Sequence, residues 1–181
     1  FVQNDEIKYS ISDSNSTIVP LPLYEAKKRS QILALLNVSS GTAEINEQSM
    51  ANLDAVCLYS LPDGITDLIG LVPSSSYASW VDLNLKGGSN TLTHVYMEHD
   101  RMALVVSKNG KLLFQNWFSL NSKEDAIYFL LATLEGLNIL HTEVKYVLTG
   151  DIGKRDELYP LIEKYLPKLV FADRPKQLNY A

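Results

Sequence analysis

One cysteine is too few for an internal disulfide, and Cys57 lies in the apolar run AVCLYSL, where it reads as a buried, inert thiol. A reducing, cytoplasmic setting is the expectation. No stretch reaches the ~18 continuous apolar residues that a membrane span needs. The opening FVQNDEIKYS has neither a basic n-region nor an apolar h-region, so membrane insertion is not expected. An extended Lys/Arg stripe is also missing. With a net charge of −5, the chain lacks the cations that release counterions from phosphates, and nucleic acid is not an expected partner. His94, His99 and His141 have no close metal-ligand spacing and Cys57 is remote from them, so no metal site is predicted. Ser74 to Ser76 follow Pro73 without the glycine pattern of a nucleophile elbow and read as a loop.

What is present is apolar content of 46% over 181 residues, enough for one large core or two small ones. The second half carries the sharpest patterning. TLTHVYME, RMALVVSK and KLLFQNWF are rich in β-branched and aromatic residues and are joined by the two-residue links His99-Asp100 and Asn109-Gly110. They predict a three-stranded meander. Asn-Gly supplies the two positive-φ positions of a type I′ turn, with Lys108 and Lys111 keeping that turn in water. After Phe118 the period changes to that of a helix. Asn121 or Ser122 caps it, Glu124 and Asp125 occupy its first turn, and Ile127, Leu130, Leu131 and Leu134 form its stripe. Gly136 is its expected terminator. A strand over 144–148, the loop TGDIGKR, a helix from Asp156 with Leu158, Leu161, Ile162 and Tyr165 inward, and a last short strand KLVFA complete the order β-β-β-α-β-α-β. That order is the ribonuclease-H-like unit.

The first half reads as an eroded second copy. Residues 7–20 supply a strand or two, LYEAKKRSQILALL a helix, LDAVCLYSL a buried strand, DGITDLIGLV a short helix started by Asp63, and YASWVDLNL an alternating strand. The boundary falls in LKGGSN, residues 85–90, where Gly87 and Gly88 permit a hinge. Two lobes are therefore expected, residues 1–88 and 89–181. Phe1 is not an initiator methionine, and the first strands of the earlier lobe are expected to precede it.

STIVPLPLYEAKK, NLDAVCLYSLPDGITDLI, LVVSKNGKLLFQNWFSLNSKEDAIYFLLATLEGLNI and VKYVLTGDI together resemble a bacterial family, known mainly from Bacteroidetes, whose members have an actin-like ATPase fold. The resemblance spans most of the chain and is more specific in the second half. It implies an α/β protein of two ribonuclease-H-like lobes with mixed sheets. The family has no established activity, so the resemblance implies a fold more than a function. The chain is similar, too, to the actin-like domains of pilus and secretion assembly proteins, which act largely as scaffolds.

Actin-like ATPases hold phosphates in Asp-x-Gly hairpin turns, where glycine lets backbone N–H groups approach the anion. The matching turn here, MEHDRM at 97–102, contains no glycine. Gly150, Asp151 and Gly153 in LTGDIG lie between a strand and a helix, where actin-like folds place the adenosine, and are the candidate cofactor-binding residues for ATP with magnesium. The plain alternative is a tight loop with glycine at positive φ. A two-metal nuclease built on Glu98, Asp125 and Asp151 is disfavoured by the absence of a basic track, and no catalytic residues are assigned. Trp80 and Trp117 read as core or lobe-interface residues in strands. The preferred function is a non-catalytic scaffold or protein-interaction module, self-association included, with nucleotide binding in the interlobe cleft as the alternative.

Overall fold

The computed structural model describes residues 10–11, 16–35, 44–84 and 90–172. The first half runs β1 (Ser10–Ile11), β2 (Ser16–Pro20), α1 (Arg29–Leu35), β3 (Glu44–Met50), β4 (Ala55–Leu61), α2 (Ile65–Ile69), β5 (Ser74–Ser75) and α3 (Ser76–Asn84). β4 is the predicted buried strand, and every one of its seven residues is buried. It is the middle of an antiparallel sheet in the order β2-β4-β3, while β1 and β5 form a separate parallel pair. Cys57 lies within β4, buried as expected.

Three expectations for this half are corrected. The helix predicted over 23–36 is shorter: two 3-10 turns at Leu21–Leu23 and Ala26–Lys28 precede α1, and Leu33 is the buried residue of α1. β3 was not foreseen. Its sequence, EINEQSM, is polar because it lies at a sheet edge, with only Met50 fully buried. Of residues 77–85, expected as an alternating strand, 77–84 belong to α3 and Leu85 lies outside the described residues. The Ser75 hydroxyl accepts the Ala78 N–H at 3.1 Å and caps the helix, and the buried set Tyr77, Ala78 and Val81 recurs at helical spacing. The proposed hinge glycines, Gly87 and Gly88, lie outside the described residues, as do residues 7–9 of the first expected strand.

The second half keeps the predicted order: β6 (Thr91–Glu98), β7 (Arg101–Lys108), β8 (Lys111–Ser119), α4 (Lys123–Gly136), β9 (Lys145–Gly150), α5 (Leu158–Tyr165) and β10 (Leu169–Phe171). The sheet order is β10-β9-β6-β7-β8. The meander β6-β7-β8 is antiparallel, and β9 and β10 are added in parallel beside β6. Asn109 and Gly110 have φ of 55° and 73°, the two positive values that a type I′ turn requires. Ser122 caps α4 in a reciprocal box with Asp125, whose carboxylate accepts the backbone N–H groups of Asn121 and Ser122 and is thereby held below its usual pKa. Gly136 is the last residue of α4 and not its left-handed terminator. Asn138 takes that role at φ 55°, with the Asn138 and Ile139 N–H groups bonded back to Glu135 and Leu134.

Each face of the five-stranded sheet is covered. On one side Ile127, Leu130 and Leu134 of α4 pack on Leu104, Val106, Tyr146 and Leu148. On the other, Ala103, Val105 and Tyr96 join Ile18, Met50, Cys57, Tyr77 and Val81 of the first half in a single buried cluster. That two-sided cover is why β7 reads as an almost continuous apolar run. A bulge at Val106/Ser107 breaks the alternation of β8. Leu112 therefore shares the first-half face with Trp117, while Phe114 and Phe118 face α4. On the far face of the three-stranded sheet, Leu33 of α1 packs with Val19, Val56 and Leu58.

Candidate functional site

A cleft of about 550 Å³ opens at the carboxyl ends of the parallel strands β9 and β10. Its floor is the loop after β9. Gly150, Asp151 and Gly153, the three residues singled out in the sequence, all line it, together with Lys154. Its walls are Tyr96 from β6 and Trp80 from α3, so both halves of the chain contribute. These walls were missed in the sequence. The sequence reads Trp80 as a strand residue, and Tyr96 directly precedes the turn at 97–102 that draws attention instead.

The loop backbone is held tightly. Gly150 has φ 93° and sits so close to the end of β6 that a Cβ would meet the Met97 carbonyl oxygen at 2.0 Å. Only glycine fits that approach. The Asp151 N–H donates to the Met97 carbonyl at 2.8 Å, and the Ile152 N–H to the Gly150 carbonyl at 2.9 Å. The Gly153 N–H donates to the Asp156 carboxylate. Ile152 is buried in the core beneath and anchors the loop. Three successive amides that could face an anion thus have partners within the protein.

The side chains follow the same pattern. Asp151 Oδ2 lies 2.8 Å from His99 Nδ1, joining the loop to the hairpin turn between β6 and β7, with both groups largely exposed. His99 itself has φ 50°, and the Asp100 carbonyl accepts the Leu120 N–H at 2.7 Å. The turn that would have to present glycine amides to a phosphate instead presents a histidine engaged with a carboxylate. This arrangement does not fit a triphosphate and its magnesium. The Asp151, Ile152 and Gly153 amides are used, and Asp125 is committed to the cap of α4.

Glu98, Asp125 and Asp151 are not brought together as a metal site. Among the described residues there is no group of three or more His, Cys, Asp or Glu side chains that could hold a metal ion. The three histidines are separated: His99 is in the turn between β6 and β7, His141 begins a 3-10 turn, and His94 is fully buried in β6 with neither ring nitrogen partnered. Burial lowers the His94 pKa to about 3. Trp117 does lie at the contact between halves, donating its indole N–H to the Ser16 carbonyl at 3.1 Å and packing near Tyr77 and Tyr96. Among the described residues no helix is long and apolar enough to cross a membrane.

The profile of a family described as "Protein of unknown function (DUF3822)" matches residues 3–169. No curated protein matches the chain. Among solved structures, a protein of Bacteroides thetaiotaomicron VPI-5482 with an actin-like ATPase fold and unknown function is similar with a TM-score of 0.75 and 16% identity, over 91% of this chain and 68% of that one. At that identity the likeness shows the fold: this is an α/β protein of the actin-like ATPase type. A type IV pilus biogenesis complex of PilM and PilN is also similar, with a TM-score of 0.42 and 13% identity over 87% of this chain and 65% of that one, too slight a likeness to argue from.

Proposed function

The chain belongs to the DUF3822 family, and from that premise we propose that it is a non-catalytic scaffold or protein-interaction module built on an actin-like fold. The observation that carries this reading is the loop after β9, whose Asp151, Ile152 and Gly153 amides are consumed by Met97, Gly150 and Asp156. A phosphate site needs unsatisfied N–H groups pointing at the anion, and these would have to be stripped from internal partners first. In this reading residues 1–88 and 89–181 act as two lobes in a cytoplasmic protein whose partners are proteins, including further copies of itself, and not nucleic acid. Isothermal calorimetry with Mg-ATP tests it. No heat of binding up to millimolar nucleotide is the expected result, and micromolar binding or turnover overturns the scaffold reading.

One observation favours a second reading. The cleft stands where open α/β sheets bind ligands, and Gly150, Asp151 and Gly153 all line it beside Lys154, Trp80 and Tyr96. A nucleotide held there would enter with its base toward the aromatic wall, and the same calorimetry, repeated with adenosine, reads that contribution separately from the phosphates.

A further inference from the structure

β8 is the longest strand of the protein's described residues, nine residues from Lys111 to Ser119, and it ends the five-stranded sheet. No described strand pairs with its outer edge, so among the described residues its outward row of backbone N–H and C=O groups has no strand partner. Other outer strands are defended. β10 is only three residues long. β3 carries Glu44 and Glu47, so pairing it with a copy of itself about its middle sets Glu47 against Glu47. β2 is covered by side chains of β8: the Gln115 carbonyl oxygen accepts from the Thr17 hydroxyl at 2.9 Å, and the Trp117 indole reaches the Ser16 carbonyl. β8 has no such defence beyond its bulge near Leu112. From Leu112 to Leu120 the sequence is LLFQNWFSL, with no charge and no proline.

We propose that β8 is a self-association edge, pairing antiparallel with β8 of a second copy about a two-fold axis at Asn116. The proposal rests on the reading of the chain as an association module and names the partner as the chain itself. In this register Phe114 lies opposite Phe118 of the second copy, and Leu113 opposite Ser119, so no like charges are opposed across the ladder. Aromatic pairs at directly opposed positions are among the more favourable cross-strand contacts. The surface is already prepared for them. Phe114 and Phe118 are stacked with centroids 6.4 Å apart, Phe118 stacks on Phe129 of α4 at 4.5 Å, and Tyr128, 67% exposed, extends the row. Asn116 at the centre is exposed and uncharged, so it offers its own copy a neutral, hydrogen-bonding neighbour.

Sedimentation velocity without nucleotide tests the pairing across micromolar to millimolar protein. A monomer–dimer equilibrium is expected for the wild type. Asn116→Lys and Asn116→Glu each place like charges at the two-fold on an exposed site, and each is expected to raise the dissociation constant at least tenfold with unchanged circular dichroism. An equimolar mixture of the two variants opposes Lys to Glu and is expected to restore the dimer. A wild type that stays monomeric, single variants that dimerise as the wild type does, or a mixture that stays monomeric would each overturn the proposal. Aggregation that Asn116→Lys fails to suppress overturns it as well. These outcomes are separate from nucleotide binding, which bears on the module reading and not on this edge.

Discussion

The α-carbon of Gly150 faces the backbone of Met97 so closely that a side-chain carbon there would stand 2.0 Å from the Met97 carbonyl oxygen and 2.9 Å from its nitrogen. Backbone atoms cannot yield as a flexible side chain does, and φ 93° is strained for any other residue. Gly150→Ala is therefore expected to cost ~3 kcal/mol or more in urea unfolding. Gly153 has ordinary surroundings, with a Cβ meeting Asp156 Oδ2 at 3.4 Å, so Gly153→Ala should cost less than about 1 kcal/mol. Similar losses for both would mean that the loop is not pinned to β6.

The glycine of that loop was legible in the sequence because a turn between strand and helix has few other solutions. The same is true of Asn109-Gly110 and of the Ser122 cap, where local chemistry dictates local geometry. α3 was not legible. Nine residues containing Trp80, Val81 and Leu83 suit a short strand or a short helix equally, and the Ser75 cap and the sheet surface beneath Tyr77 and Val81 decide it. β3 escaped notice because an edge strand has no apolar face to display. The cleft walls escaped it because Trp80 and Tyr96 meet only after α3 has folded back over the sheet.

His94 links pH to stability. Its pKa of about 3 in the folded protein lies below the value of 6.5 for a free imidazole, with burial as the cause. Between those values the unfolded chain binds a proton that the folded protein refuses, so stability falls as pH drops from 6.5 toward 3. The loss over that range is up to about 4 kcal/mol. His94→Leu, which removes both unpartnered nitrogens, should fold and should show a shallower decline in denaturant midpoint from pH 6.5 to 4.5. An unchanged pH profile in that variant would assign the acid sensitivity elsewhere.

Leu130 is 2% exposed at the centre of the contact between α4 and the meander, whereas Lys111 projects from the hairpin turn into water. Leu130→Ala should cost ~2 to 5 kcal/mol by emptying a core position, and Lys111→Ala should stay within about 0.5 kcal/mol. Chemical denaturation of the two variants separates the hairpin's buried faces from its solvated tip. Equal and negligible shifts would place α4 away from the sheet.

Gln115 and Thr17 are 98 residues apart in the chain, and their hydrogen bond of 2.9 Å is a polar contact between the halves. The Ile18 N–H approaches the same oxygen at 3.4 Å, and the indole of Trp117 bonds Ser16 next to it, so β8 grips the edge of β2 through side chains. The two residues are therefore energetically coupled. A double-mutant cycle with Gln115→Ala, Thr17→Val and the pair should then give an interaction energy of about 0.5 to 1.5 kcal/mol. The apolar cluster of Tyr77, Tyr96 and Trp117 survives in all three variants, so the cycle reads the polar bridge alone. Opening of the contact between the halves would leave this bond broken part of the time, and the coupling would shrink in proportion. A value indistinguishable from zero would mean that the halves are held by apolar burial only, and that the cleft beside Tyr96 and Trp80 changes shape in solution.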